Sequence, residues 1–142
     1  MKLRAFVDTS VLFSADHAAG SARDLVDEAA DAEVELFVSA YVLGKVTRNL
    51  AAKSEHGLDR LTVVLASGTL SMVEPDDDAI QRITRLIEPK DAPIIAAAMV
   101  AKAPIVTTYD QRHLLSRAEE IREAFGVEVL TPRDVLERMA AE

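Results

Sequence analysis

The sequence predicts an α/β domain of three layers, α/β/α, built around a central parallel sheet of about five strands. Five short apolar runs (Leu3–Asp8, Glu35–Ser39, Thr69–Glu74, Pro104–Thr107 and Val127–Leu130) alternate with segments of helical periodicity. Such alternation pairs strands in parallel through right-handed crossovers and puts helices on both faces. The 142 residues, 49% of them hydrophobic, suit one domain over residues 1–142 that buries its core without covalent staples.

Each element has its own signal. Leu3–Asp8 ends in an acid followed by Thr9 and Ser10, which favour turns and caps. Ser21–Ala32 reads as a helix through Leu25, Val26, Ala29 and Ala30. Leu36-Phe37-Val38 centre the second strand, and Ser39 N-caps a helix through Tyr41, Val42, Val46 and Leu50. Leu58–Ala66 is helical and closes at Ser67-Gly68. The third strand carries Leu70, Met72 and Val73. Asp76–Asp78 then open a helix through Ile80, Ile83, Leu86 and Ile87 that stops at Pro89, its first-turn acids matching the helix dipole.

Asp91 precedes the most apolar helix, Ala92–Lys102, with Pro93 in the first turn where proline is tolerated. Pro104–Thr107 leads to Thr108-Tyr109-Asp110. Gln111–Phe125 reads as one helix stopped by Gly126, and Thr131-Pro132 opens a last helix to about Met139.

Composition narrows the function classes. With no Cys there is no disulfide, thiolate zinc site or Cys nucleophile, which suits a reducing cytoplasm. The longest apolar run, Ala92–Val100, is too short to span a bilayer. The start Met1-Lys2-Leu3-Arg4-Ala5-Phe6-Val7-Asp8 meets an acid too early for a secretory signal. A cytoplasmic protein with no membrane association is expected. The net charge of −8 disfavours passive coating of nucleic acid, and four Phe, two Tyr and no Trp offer no stacking platform. Metal-dependent chemistry on a polyanion stays open, because bound cations reverse the local field.

In parallel sheets the site lies beyond the C-terminal strand ends, where strand order reverses. Asp8 closes the first strand, Asp110 follows the fourth by three residues, and Asp91 starts the helix that leads into the fourth. Gathered together, three carboxylates repel unless a divalent cation holds them, and Mg²⁺ or Mn²⁺ takes such oxygen ligands. Each acid also fits an ordinary helix cap. Asp76-Asp77-Asp78 and Glu119-Glu120 read as solvated helix starts and faces. His17, His56 and His113 have no ligand spacing, and His113 reads first as a surface or packing residue although it borders Asp110.

Three segments resemble the PIN-domain family, the ribonuclease fold of many bacterial toxin–antitoxin toxins. Phe6-Val7-Asp8-Thr9-Ser10-Val11-Leu12-Phe13-Ser14-Ala15 is similar to its opening signature. Lys90-Asp91-Ala92-Pro93-Ile94-Ile95-Ala96-Ala97-Ala98 is similar to its third-acid helix, and Ile105-Val106-Thr107-Thr108-Tyr109-Asp110 to its Val-Thr-x-Asp strand end. The tail Gly126-Val127-Glu128-Val129-Leu130-Thr131-Pro132 resembles the VapC-like toxin branch. The resemblance implies a PIN-like fold and a metal-dependent endoribonuclease. Asp8, Asp91 and Asp110 would be its catalytic residues and ligands of Mg²⁺ or Mn²⁺. Thr9, Ser10 and Thr108 would be the hydroxyls that orient carboxylates and waters. It also implies an RNA substrate, a small antitoxin protein as partner and a homodimer.

One position departs from the family pattern. Where its Ser-x-x-Val-Leu-x-Glu segment carries a second acid, Ser39-Ala40-Tyr41-Val42-Leu43-Gly44-Lys45 places Lys45, and no acid lies elsewhere in Ser39–Lys53. Three carboxylates beside one ammonium balance one divalent ion rather than two, so an inward Lys45 implies one ion at most, weakly bound, and impaired hydrolysis. An inward Lys45 paired with Asp8 or Asp91 would be inert. Otherwise it snorkels to water or touches a substrate phosphate. Asp24, Asp27 and Glu28 are the candidates for a substitute acid.

The alternative to a nuclease is a catalytically inactive PIN-fold module that binds RNA or a protein partner. Other α/β activities lack their motifs. Ser10, Ser14 and Ser39 have no G-x-S-x-G context. Ser10 stands where a haloacid-dehalogenase-type motif needs a second Asp, and Glu74-Pro75 where a receiver domain needs its phosphoacceptor. No two glycines lie within six residues of each other, so no dinucleotide fingerprint exists.

Overall fold

The computed structural model describes residues 2–31 and 34–141. The expected helix end at Ala32 therefore lies outside the described residues, as do Met1, Glu33 and Glu142. Five strands form one all-parallel sheet: β1 (Leu3–Val7), β2 (Val34–Val38), β3 (Leu70–Met72), β4 (Ile105–Thr107) and β5 (Glu128–Leu130). Their order is β3-β2-β1-β4-β5. The chain thus winds outward from β1 in one direction, returns, and winds outward in the other, which puts the switch point between β1 and β4. Val7 is in register with Thr107 and Ala5 with Ile105, so Asp8 and Thr108 leave the sheet side by side.

Among the described residues there are eight α-helices: α1 (Thr9–His17), α2 (Ser21–Ala30), α3 (Ala40–Lys53), α4 (Glu55–Ala66), α5 (Asp77–Ile83), α6 (Ala92–Val100), α7 (Ala118–Phe125) and α8 (Pro132–Ala141). Helix α1 packs on α2, α3 and α4, and α2 also meets α8. Helix α5 packs on α6, which lies against β1 and β4. Together these layers make the three-layer α/β/α arrangement. Phe6, Leu12, Leu25, Leu36, Leu50, Ile83, Ile95, Ile105, Leu114 and Ile121 are the largest fully buried side chains. In α6 the residues Ala92 and Ile94–Ala98 are all buried, which explains a helix apolar on every side.

Four expected helices differ in extent. The helix expected from Asp76 to Pro89 ends at Ile83, where Thr84 Oγ1 bonds back to the Ile80 carbonyl and turns carry the chain on to Asp91. The helix expected over Ala92–Lys102 ends two residues early, because Lys102 adopts φ 55°. Ala103 N–H bonds to the Ala98 carbonyl and Lys102 N–H to the Met99 carbonyl, a Schellman closure made without glycine. Both Ala101 and Lys102 carbonyls then accept from the Arg4 guanidinium, which also pairs with Glu35 and lies over the Phe37 ring.

The third difference is in Gln111–Phe125. Leu115 N–H bonds to the Asp110 carbonyl and Ser116 N–H to the Gln111 carbonyl, both five residues back, so this stretch is a widened turn. A short 3₁₀ turn over Leu115–Arg117 follows, and only then α7. Helix α4 begins earlier than expected, capped by Ser54, whose Oγ accepts from Gly57 N–H.

Candidate active site

Asp8 leaves β1 and opens α1. Its backbone N–H bonds to the Thr107 carbonyl, continuing the sheet ladder by one residue. Its Oδ1 accepts from Thr9 N–H at 2.7 Å, and its Oδ2 from Thr108 Oγ1 at 2.6 Å and Ser10 Oγ at 3.4 Å. The side chain is therefore both a cap and part of a hydroxyl network. Burial pushes the Asp8 carboxyl above its usual range, against the hydrogen bonds from Thr108 and Thr9, and Asp110 adds to the rise.

That network reaches Asp110. Thr108 Oγ1 accepts from Asp110 N–H at 3.0 Å, and Ser10 Oγ accepts from Tyr109 N–H at 3.0 Å. Two hydroxyls thus stitch the turn after β4 to the start of α1. Thr9, grouped with them in the sequence reading, serves Asp8 through its main chain instead. Asp110 Oδ1 caps the widened turn by accepting from His113 N–H at 3.0 Å, and its Oδ2 lies 3.5 Å from His113 Nδ1.

Asp91 occupies the N-cap position of α6 but makes no capping hydrogen bond. It is 7% exposed, and its Oδ2 is buried without a hydrogen-bond partner among the described residues. Burial pushes its carboxyl up, Lys90 and His113 pull it down, and Asp110 and Asp8 push it up again. Carboxylate oxygens of Asp91 and Asp110 and a ring nitrogen of His113 lie within 4.8 Å of one another. A buried carboxylate oxygen with nothing to bond to, beside a second carboxylate and an imidazole, is the donor set a divalent cation would satisfy.

The three acids share a cleft of about 470 Å³ lined also by Thr9, Ser10, Lys45, Asn49, Lys90 and Tyr109. Lys45 comes from α3 and reaches this cleft, but among the described residues it forms no ion pair with Asp8 or Asp91. Its Nζ sits 4.3 Å from the centroid of the Tyr41 ring, and Tyr41 OH donates to the Lys90 carbonyl at 3.2 Å. Asp24, Asp27 and Glu28 do not line the cleft, and Asp27 pairs with Arg60. All three acids expected from the sequence line the cleft, whereas the donor cluster within 4.8 Å joins Asp91 and Asp110 to His113, which the sequence marks first as a surface or packing residue. Its spacing from Asp110 was the available signal, but a turn rather than a helix brings the ring alongside. Lys45 and Asn49, spaced by four on α3, are a second signal for one helix face turned to the cleft.

Comparison with known proteins agrees with this fold. The family model described as PIN domain matches residues 5–121. A crystal structure of a protein from Pyrobaculum aerophilum superposes with a TM-score of 0.63 at 18% identity, covering 100% of this chain and 98% of that one. At that identity the likeness concerns the fold. No curated protein sequence matches the chain at the same stringency.

Proposed function

Because the chain belongs to the PIN domain family, a nuclease-type fold whose members act on RNA and bind divalent metals, we propose that it is a metal-dependent endoribonuclease. The observation that carries this reading is the orphaned Oδ2 of Asp91 beside Asp110 and His113. Asp8, Asp91 and Asp110 would hold one Mg²⁺ or Mn²⁺, with His113 as a further donor. When bound, the ion supplies an activated water and neutralises charge on the leaving oxygen of a phosphodiester.

The remaining work belongs to the protein. Thr108 and Ser10 hold the Asp8 carboxylate in one orientation. Thr108 also fixes the Asp110 backbone, so one hydroxyl sets two acids. The raised carboxyls of Asp8 and Asp91 mark a site that resists full ionisation until positive charge arrives. With Lys45 where the family pattern has an acid, the charge set balances one ion, held weakly, and hydrolysis is slowed.

By the same resemblance the protein is a cytoplasmic toxin of the VapC-like branch, kept in check by a small antitoxin and active as a homodimer. An acidic chain suits a basic partner peptide. Monomer alone in analytical ultracentrifugation would remove the dimer.

Lys45 in the cleft favours a second reading, an inactive PIN-fold module that binds RNA or a protein. A paired RNA-cleavage assay in Mn²⁺, with EDTA controls, separates the two. Cleavage by both the native chain and Lys45→Glu, abolished by EDTA and by Asp8→Asn, establishes the nuclease. Cleavage by Lys45→Glu alone establishes the inactive module.

A further inference from the structure

Helix α3 brings Lys45 and Asn49 to the acidic cleft, which Lys90 also lines, and Tyr41 one turn before Lys45 packs its ring against the Lys45 ammonium. A lysine beside three acids would ordinarily fall onto one of them. Here Lys45 Nζ instead stays over the Tyr41 ring, and the ring is itself tied by its hydroxyl to the Lys90 carbonyl, next to Asp91. The ammonium thereby stays at the lining of the cleft without an anionic partner among the described residues. Lys90 adds a second cation to the lining of the cleft, and Asn49 a neutral donor and acceptor one turn beyond Lys45.

We propose that Lys45, with Lys90 and Asn49, forms a phosphate-docking strip that holds single-stranded RNA beside the carboxylates without any metal, and that Tyr41 is its positioning residue. The strip rests on the ribonuclease reading only for the identity of the polyanion. Two ammonium groups thus share the lining of the cleft with its three carboxylates. A strand lying along α3 would set one phosphate on Lys45 and leave the neighbouring linkage facing Asp8, Asp91 and Asp110. Lys45 then compensates in binding for the ion that its presence displaces.

The test is fluorescence anisotropy of a labelled single-stranded RNA oligonucleotide in EDTA, titrated from 50 to 200 mM KCl. Lys45→Met, which keeps the aliphatic stem, should weaken binding and reduce the salt slope by about 0.7, the share of one phosphate on a single strand. Lys45→Arg should retain that slope. Tyr41→Ala should weaken binding with the slope unchanged, because the charge stays while its seat is lost. Circular dichroism confirms that each variant is folded. An unchanged slope in Lys45→Met, or no RNA binding by the native chain in EDTA, overturns the strip. Lys45-dependent binding without Mn²⁺ cleavage by any variant keeps the strip and rejects the nuclease. Mn²⁺ cleavage with Lys45-independent binding does the reverse.

Discussion

Thr108 Oγ1 donates to Asp8 Oδ2 at 2.6 Å across 100 residues of sequence, and the same oxygen accepts from Asp110 N–H. One hydroxyl thus aligns two acids that come from different strands. Thr108→Val keeps the shape and deletes both bonds. Asp8 then retains only the long bond from Ser10 on Oδ2, so its carboxyl rises further. Mn²⁺ affinity should fall by about 10- to 100-fold, the usual cost of losing such an orienting partner. Isothermal titration calorimetry measures it, and an unchanged affinity would show that Thr108 serves the fold alone.

His113 should matter for which ion binds. Imidazole nitrogen suits Mn²⁺ better than Mg²⁺, which prefers oxygen throughout. His113→Ala is therefore expected to lower Mn²⁺ affinity more than Mg²⁺ affinity, narrowing the gap between them. Equal losses for both ions would mean that His113 acts only by holding Asp110, 3.5 Å from its Nδ1.

Asp16 on α1 is 2% exposed, and neither carboxylate oxygen has a hydrogen-bond partner among the described residues. Burial raises its carboxyl to about 7, against the pull of Arg60 and Arg23. The folded chain therefore holds this proton more tightly than the unfolded one, and its contribution to stability declines as pH rises from about 4 to 7. The full effect is on the order of 4 kcal/mol by the conversion of one unit to 1.36 kcal/mol. Asp16→Asn should match the native chain in thermal midpoint near pH 4 and exceed it at pH 8. Parallel pH profiles for the two proteins would reject this account.

Gly57 packs α4 tightly against α3 and α1. A Cβ there would meet Leu50 Cδ2 at 2.6 Å, Ser54 Oγ at 3.0 Å and the Asp16 carbonyl at 3.2 Å. Alanine normally favours a helix over glycine by about 1 kcal/mol, but overpacking against a fully buried Leu50 costs about 1–3 kcal/mol. Gly57→Ala should thus lose about 1 kcal/mol in urea unfolding, since crowding outweighs propensity. A gain in stability would show that α4 shifts freely.

Much of this was legible in the sequence because parallel strands buried on both faces read as apolar runs, and acids at their ends stand out. Asp8 and Asp110 stand out in that way, Asp91 stands out instead before the all-apolar helix α6, and Ser39 marks the start of α3 through its cap. What stayed hidden depended on tertiary geometry. The periodicity of Gln111–Phe125 fits a helix, yet bonds from Leu115 and Ser116 reach five residues back and swing His113 to Asp110. Lys102 shows no sequence sign of its left-handed backbone, since the carbonyls it and Ala101 expose are taken by Arg4, 97 residues away from Ala101. Nor does the sequence reveal that Lys45 rests on Tyr41 rather than on an acid.

The Arg4 clamp gives α6 the character of a measuring rod. Its far end is pinned at Ala101 and Lys102 to the start of β1, while its near end carries Asp91 and the far end of β1 carries Asp8. Strand and helix are thus two legs of a caliper whose hinge lies at the opposite end of β1 and α6 from its jaws. With about 1.5 Å of rise per helical residue, that hinge is more than ten ångströms from the acids it spaces. Slack at Arg4 would widen the jaws without altering a single side chain between them.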